Sequence, residues 1–116
     1  MTKQELLDKA IAGLAAQGYM RCKDVWGCLY WRADGSRCAV GHLLSEDLAK
    51  EAACNHWGSV YFMAPENYQA LCREIGAVDS RFLNSLQLAH DMGHTPDQMR
   101  KNLKGLAERY GLECAL

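Results

Sequence analysis

The sequence predicts an α+β fold: a single compact domain over residues 1–116, mostly helical with about five helices, and carrying a small antiparallel β-hairpin. Three observations predict it. Apolar residues recur at helical spacing behind capping residues in successive stretches of the chain. Between Trp26 and Val40 the period changes to two, around an Asp34-Gly35 dipeptide suited to a tight turn. A chain of 116 residues, 49% hydrophobic and 23% charged, is also the right size to bury one core without metals or disulfides.

Thr2 and Glu5 make a capping box, in which each side chain satisfies a backbone N–H that the first turn leaves unpaired. Leu6, Leu7, Ala10, Ile11 and Leu14 then follow at helical spacing, with Lys3, Asp8, Lys9 and Gln17 on the solvated side and Gly18 as the stop. In the hairpin, a two-residue Asp34-Gly35 loop sets Trp31 opposite Cys38 and Leu29 opposite Val40, so these four share the inward face. Tyr30, Arg32, Arg37 and Ala39 take the outward face. Ser45 caps a helix to about Cys54, with Glu46 and Asp47 near its positive end. After a loop at residues 55–58, Val60-Tyr61-Phe62-Met63 reads as a short third strand. Pro65 opens the next helix, whose inward residues are Tyr68, Leu71, Cys72 and Ile75, and Gly76 stops it. Asp79 or Ser80 caps a helix with Phe82, Leu83, Leu86, Ala89 and His90 on one stripe. Thr95-Pro96-Asp97-Gln98 forms a second capping box. It starts a last helix with Met99, Leu103, Leu106, Ala107 and Tyr110 inward, ended by Gly111. The short connection predicts that the last two helices pack antiparallel.

Thirteen Lys and Arg against fourteen Asp and Glu give a formal charge of −1, which argues against a nucleic-acid partner, whose binding draws on excess cations. Arg100, Lys101, Lys104 and Arg109 line the outer face of the last helix, and Arg21, Lys23, Arg32 and Arg37 gather around the hairpin. Either group could touch phosphate, but acids interrupt both, and they read as solvated faces. The N-terminus mixes charges and has no signal-peptide run, and no stretch approaches the ~18–20 apolar residues of a membrane span. The expected location is cytoplasmic, away from the membrane. There the six cysteines (Cys22, Cys28, Cys38, Cys54, Cys72 and Cys114) stay reduced, and none has a C-x-x-C partner.

Three constellations could carry chemistry. His90 and His94 have the i, i+4 spacing of a helical metal pair, but Gly93 ends the helix between them. Cys38, His42, Cys54 and His56 are the right donors for zinc at spacings that match no standard finger, so no cofactor is expected. Cys38 with His42 or His90, and with Asp91, would be a thiol nucleophile set. Asp91 is a poor orienter for His90, because neighbours on a helix point about 100° apart, and the hairpin register buries Cys38. The reading is therefore a non-enzymatic protein-binding module, with Tyr30, Arg32, Arg37 and Trp57 as contacts, since Trp, Tyr and Arg dominate binding hot spots. Trp57 could equally plug the core beneath its loop. The alternative is a small Cys/His-dependent enzyme or zinc-binding protein using Cys38, His42 and His90. Leu112 and Leu116 in the tail leave both monomer and dimer open.

Residues 28–44, Cys-Leu-Tyr-Trp-Arg-Ala-Asp-Gly-Ser-Arg-Cys-Ala-Val-Gly-His-Leu-Leu, together with residues 82–91, Phe-Leu-Asn-Ser-Leu-Gln-Leu-Ala-His-Asp, resemble a pattern in small uncharacterised proteins of bacteriophages and bacteria. That resemblance implies provenance and no activity: a small phage- or mobile-element-associated accessory protein. Joined to the binding-module reading, it gives the expectation of a protein engaging a host protein, such as an inhibitor of a host defence system.

Overall fold

The structure, a computed structural model, describes residues 1–24, 27–28, 30–76 and 79–116. Its helices are α1 (Lys3–Ala16), α2 (Glu46–Cys54), α3 (Pro65–Ile75), α4 (Ser80–Asp91) and α5 (Pro96–Arg109). Each begins where the sequence places its start, four of them at a capping side chain. Thr2 Oγ1 accepts from the Glu5 N–H at 3.1 Å while Glu5 Oε1 accepts from the Thr2 N–H at 3.0 Å, closing the box reciprocally. Ser45 accepts from Leu48, Asp79 from Arg81 and Thr95 from Gln98, and Pro65 and Pro96 occupy first-turn positions. The second box closes on one side only. The Gln98 side chain donates to Asn102 at 2.7 Å instead of returning to Thr95.

Leu6, Leu7, Ala10 and Leu14 of α1, Leu71 and Ile75 of α3, Phe82, Leu83 and Leu86 of α4, and Met99, Leu103 and Leu106 of α5 form the core. The last two helices run antiparallel. Phe82, at the start of α4, meets Tyr110, just past α5, edge-on at 5.1 Å, while Asn102 in mid-α5 donates to the Ala89 carbonyl near the end of α4 at 3.1 Å. Leu112 and Leu116 lie half-buried against this core. Near them the Gln4 amide clasps the backbone of Glu113, donating to its carbonyl at 2.9 Å and accepting from its N–H at 2.8 Å.

The predicted α+β class is wrong: among the described residues the fold is helical and has no sheet layer. Among the described residues the one extended pairing sets Lys23–Asp24 against Gly27–Cys28, two residues against two. Trp26 and Leu29, both placed in the predicted hairpin, lie outside the described residues. The turn itself exists, with Gly35 at φ +91° and an Arg32 N–H bond to the Ser36 carbonyl at 3.0 Å. What is missing is a ladder beyond it, because the second strand's backbone is committed elsewhere. The N–H and C=O of Arg37 both bond the Gln17 side-chain amide, at 3.0 and 2.8 Å. The Val40 N–H goes to Gln87 Oε1 at 3.2 Å, and the Gly41 N–H to Cys38 Sγ at 3.2 Å. Two glutamines thus stand where a strand would have been. Cys38, Ala39 and Val40 are buried in succession and lead into a 3₁₀ turn at Gly41–Leu43.

The expected third strand is also a 3₁₀ turn, Val60–Phe62. Three-residue periodicity buries Val60 and Met63 and turns Tyr61 and Phe62 outward.

Candidate functional site

The end of α1 and the turn at residues 32–37 border a cleft of about 760 Å³, whose lining includes Gln17, Arg21, Arg32, Asp34, Arg37 and His42. Gln17 was expected on the solvated face of its helix; it is instead the hub of the cleft floor. Its Nε2 donates to the carbonyls of Met20 and Arg37, both at 2.8 Å. Its Oε1 accepts from the Arg37 N–H at 3.0 Å and faces His42 Nε2 at 2.8 Å. Because the amide nitrogen already serves two carbonyls, Oε1 must be the acceptor, so the His42 proton sits on Nε2. The ring lies against the backbone of α1 at Gly13, where an added Cβ would come within 2.2 Å of Nδ1.

Burial, with a smaller contribution from the charge of Arg37, pushes the His42 pKa down from 6.5 to about 4. The folded-state value lies below the unfolded one, so the unfolded chain takes up the proton first. The stability tied to a neutral His42 is complete above about pH 6.5 and is lost as the pH falls toward 4. At 1.36 kcal/mol per unit the full shift corresponds to about 3 kcal/mol, which solvent screening of the part-exposed ring reduces to on the order of 1–2 kcal/mol. Urea unfolding of the wild type and of His42→Gln across pH 7 to 4 isolates it: the wild type's stability should fall more steeply, by that amount. Parallel curves would show that His42 is not the titrating group.

Beneath the cleft lies a buried relay. His90 is fully buried on α4. Its Nε2 accepts from the Cys22 N–H at 2.9 Å, so the ring proton is on Nδ1, which donates to Asp91 Oδ1 at 2.9 Å. Gln87 Nε2 donates to the same oxygen at 3.0 Å. The sequence argument against an Asp91–His90 contact therefore fails. Asp91 is the last residue of α4, and there its carboxylate folds back onto the preceding ring. The contact does not make His90 a base, because its one acceptor nitrogen is occupied by a backbone N–H.

The thiols are equally committed. Cys38 is fully buried, as expected, and its Sγ accepts from Gly41. Among the described residues no hydrogen bond joins it to His42 or His90. Cys22 is buried, donates to the Ser36 carbonyl at 3.3 Å, and has its thiol pushed up to about 11 by burial, the opposite of an activated nucleophile. Of the zinc donors, Cys54 and His56 are exposed while Cys38 is sealed in the core. His94 is exposed in the loop after α4. Among the described residues no group of three or more His, Cys, Asp or Glu side chains could share a metal ion.

The predicted contacts divide. Arg32 and Arg37 both line the cleft. Tyr30, expected on an outward face, is buried instead, donating from its hydroxyl to the Gly58 carbonyl at 2.6 Å and meeting Trp57 edge-on at 6.2 Å. Trp57 is buried with it and plugs the core beneath its loop. Sequence reasoning missed Gln17 and Gln87. The available signal was position: Gln17 continues the Ala10–Leu14 row of α1, and Gln87 lies between Leu83 and His90 on the stripe of α4.

No protein-family model matches the chain, and neither a curated protein nor a solved structure matches it. Among the described residues no helix is long and apolar enough to cross a membrane.

Proposed function

We propose that the protein is a non-enzymatic protein-binding module. The observation that supports this reading is the turn at residues 60–63. There Phe62 is 89% and Tyr61 54% exposed, between two buried anchors, Val60 and Met63. Aromatic side chains held in water on a fixed turn lose little conformational freedom on docking and contribute large contact areas, as binding hot spots do. They take over the role that the sequence reading gave to Tyr30 and Trp57. The commitment of Cys22, Cys38 and His90 to structural hydrogen bonds favours binding over the Cys/His enzyme.

With the phage-type resemblance of residues 28–44 and 82–91, the proposed setting is the cytoplasm of a bacterial host. The proposed partner is a host protein, of the kind an accessory inhibitor of host defence would engage.

Affinity capture from bacterial extract with wild-type protein and with a Tyr61→Ala/Phe62→Ala variant tests this. The variant should keep the wild-type melting temperature, because both side chains are exposed, and should lose a protein that the wild type retains. The reading falls if both baits retain the same proteins to the same extent.

A further inference from the structure

Arg21, from the segment after α1, and Arg32 and Arg37, from the two sides of one turn, meet in the lining of one cleft, with Asp34 as the only acid among its described lining residues. Asp34 is committed to its own turn, accepting from the Ser36 N–H at 2.9 Å and the Ser36 hydroxyl at 2.6 Å, which hold its carboxyl below the usual range. Among the described lining residues three guanidinium groups stand with one carboxylate, within a chain of formal charge −1.

The nearest structural explanation is compensation of the α1 C-terminus. That end carries only about half a negative charge, which is too little to gather three cations. Nor do the arginines only brace the fold. Arg21 Nη1 donates to the Asp91 carbonyl and Arg37 Nη1 to the Leu44 carbonyl, each at 3.2 Å. A guanidinium carries five N–H donors, so one carbonyl leaves most of each fork available. Among the described residues neither Arg21 nor Arg37 pairs with a carboxylate, and Oδ1 of Asp91 already accepts from His90 and Gln87. Gln17 and His42 satisfy each other on the floor, and Met20, 59% exposed, supplies an apolar rim. The volume falls within the range of small-molecule sites, and paired guanidinium forks match the geometry of a phosphate group.

We propose that this cleft binds the phosphate dianion of a small phosphorylated molecule, with Arg21, Arg32 and Arg37 as its ligands and Met20 against its organic part. The proposal stands apart from the aromatic turn, and either can fail without the other.

Calorimetric titration of the full chain with pyrophosphate tests it. Saturable binding at one site in the millimolar range or tighter is expected. It should weaken about tenfold or more in Arg37→Gln and in Arg32→Gln, and stay unchanged in Lys104→Gln on the outer face of α5. Arg32 is exposed, so its variant folds even if Arg37→Gln does not. Four results would overturn the proposal: no saturable binding up to about 10 mM, equal binding by the arginine variants, citrate bound as tightly as pyrophosphate, or affinity for a single-stranded oligonucleotide that grows with its length. A phosphoserine peptide bound more tightly than pyrophosphate would overturn the small-molecule assignment in favour of a modified protein.

Discussion

Gly41→Ala should cost the protein about 3 kcal/mol or more and lower its melting temperature by about 10 °C or more. The Gly41 φ is not positive, so the cause is space rather than backbone conformation. A Cβ there would come within 2.2 Å of the Tyr30 carbonyl oxygen and 3.1 Å of its carbon. These are backbone atoms that no rotamer change can move. Tyr30 cannot retreat either, because its hydroxyl is bonded to Gly58 and its ring is set against Trp57. The 3₁₀ turn would have to lift off, taking the buried Leu43 with it. Gly105 on α5 provides the control, since a Cβ there meets nothing within 4 Å and Gly105→Ala should gain up to about 1 kcal/mol from helix propensity. Opposite signs in urea unfolding of the two variants check the argument. A Gly41→Ala protein as stable as the wild type would refute it.

His90→Leu should be nearly as damaging, at about 2–4 kcal/mol, although it keeps roughly the same volume. The lost ring leaves the Cys22 N–H buried without an acceptor and removes the Nδ1 donor that faces Asp91. An orphaned buried N–H costs about 1–3 kcal/mol, and a half-emptied polar network more. A second readout separates this from simple packing loss. In the wild type the Cys22 amide should be protected from hydrogen exchange by a bond to a fully buried ring. In the variant that amide should exchange faster relative to the α5 amides, which measure global opening. If it instead speeds up only in step with them, the bond is not what holds the loop after α1.

The helices were legible because their signals are local. Thr2 with Glu5, Ser45, Pro65 and Asp79 each act within a few residues of themselves, so the structure could hardly place those ends elsewhere. The fold class was not legible, for a reason that can be located. Residues 30–40 carry a real turn at Asp34-Gly35 between apolar flanks, which is what a hairpin looks like from inside that window. The choice against strands was made outside it, by Gln17 and Gln87, whose amides satisfy the backbone groups that a ladder needs. Residues 60–63 show the same limit on a smaller scale. Within four residues, burial at the first and last positions does not fix the backbone conformation, and here a 3₁₀ turn satisfies it. Of the site, Arg32 and Arg37 were identified as contacts from residue type alone. Their gathering with Arg21 was read from the sequence but set aside as a solvated face; what the sequence does not show is how it is held, by a loop after α1 pinned to His90, 68 residues away.

The clasp between Gln4 and residue 113 divides the two positions unequally under mutation. Gln4 contributes a side-chain amide, whereas position 113 contributes only its peptide group. Any residue except proline, which lacks the N–H, could stand at 113 and be held the same way. At position 4 even the isosteric glutamate would turn a carboxylate toward a carbonyl. Sequence drift is therefore cheap on one side of this contact and costly on the other, although both sides make the same hydrogen bonds.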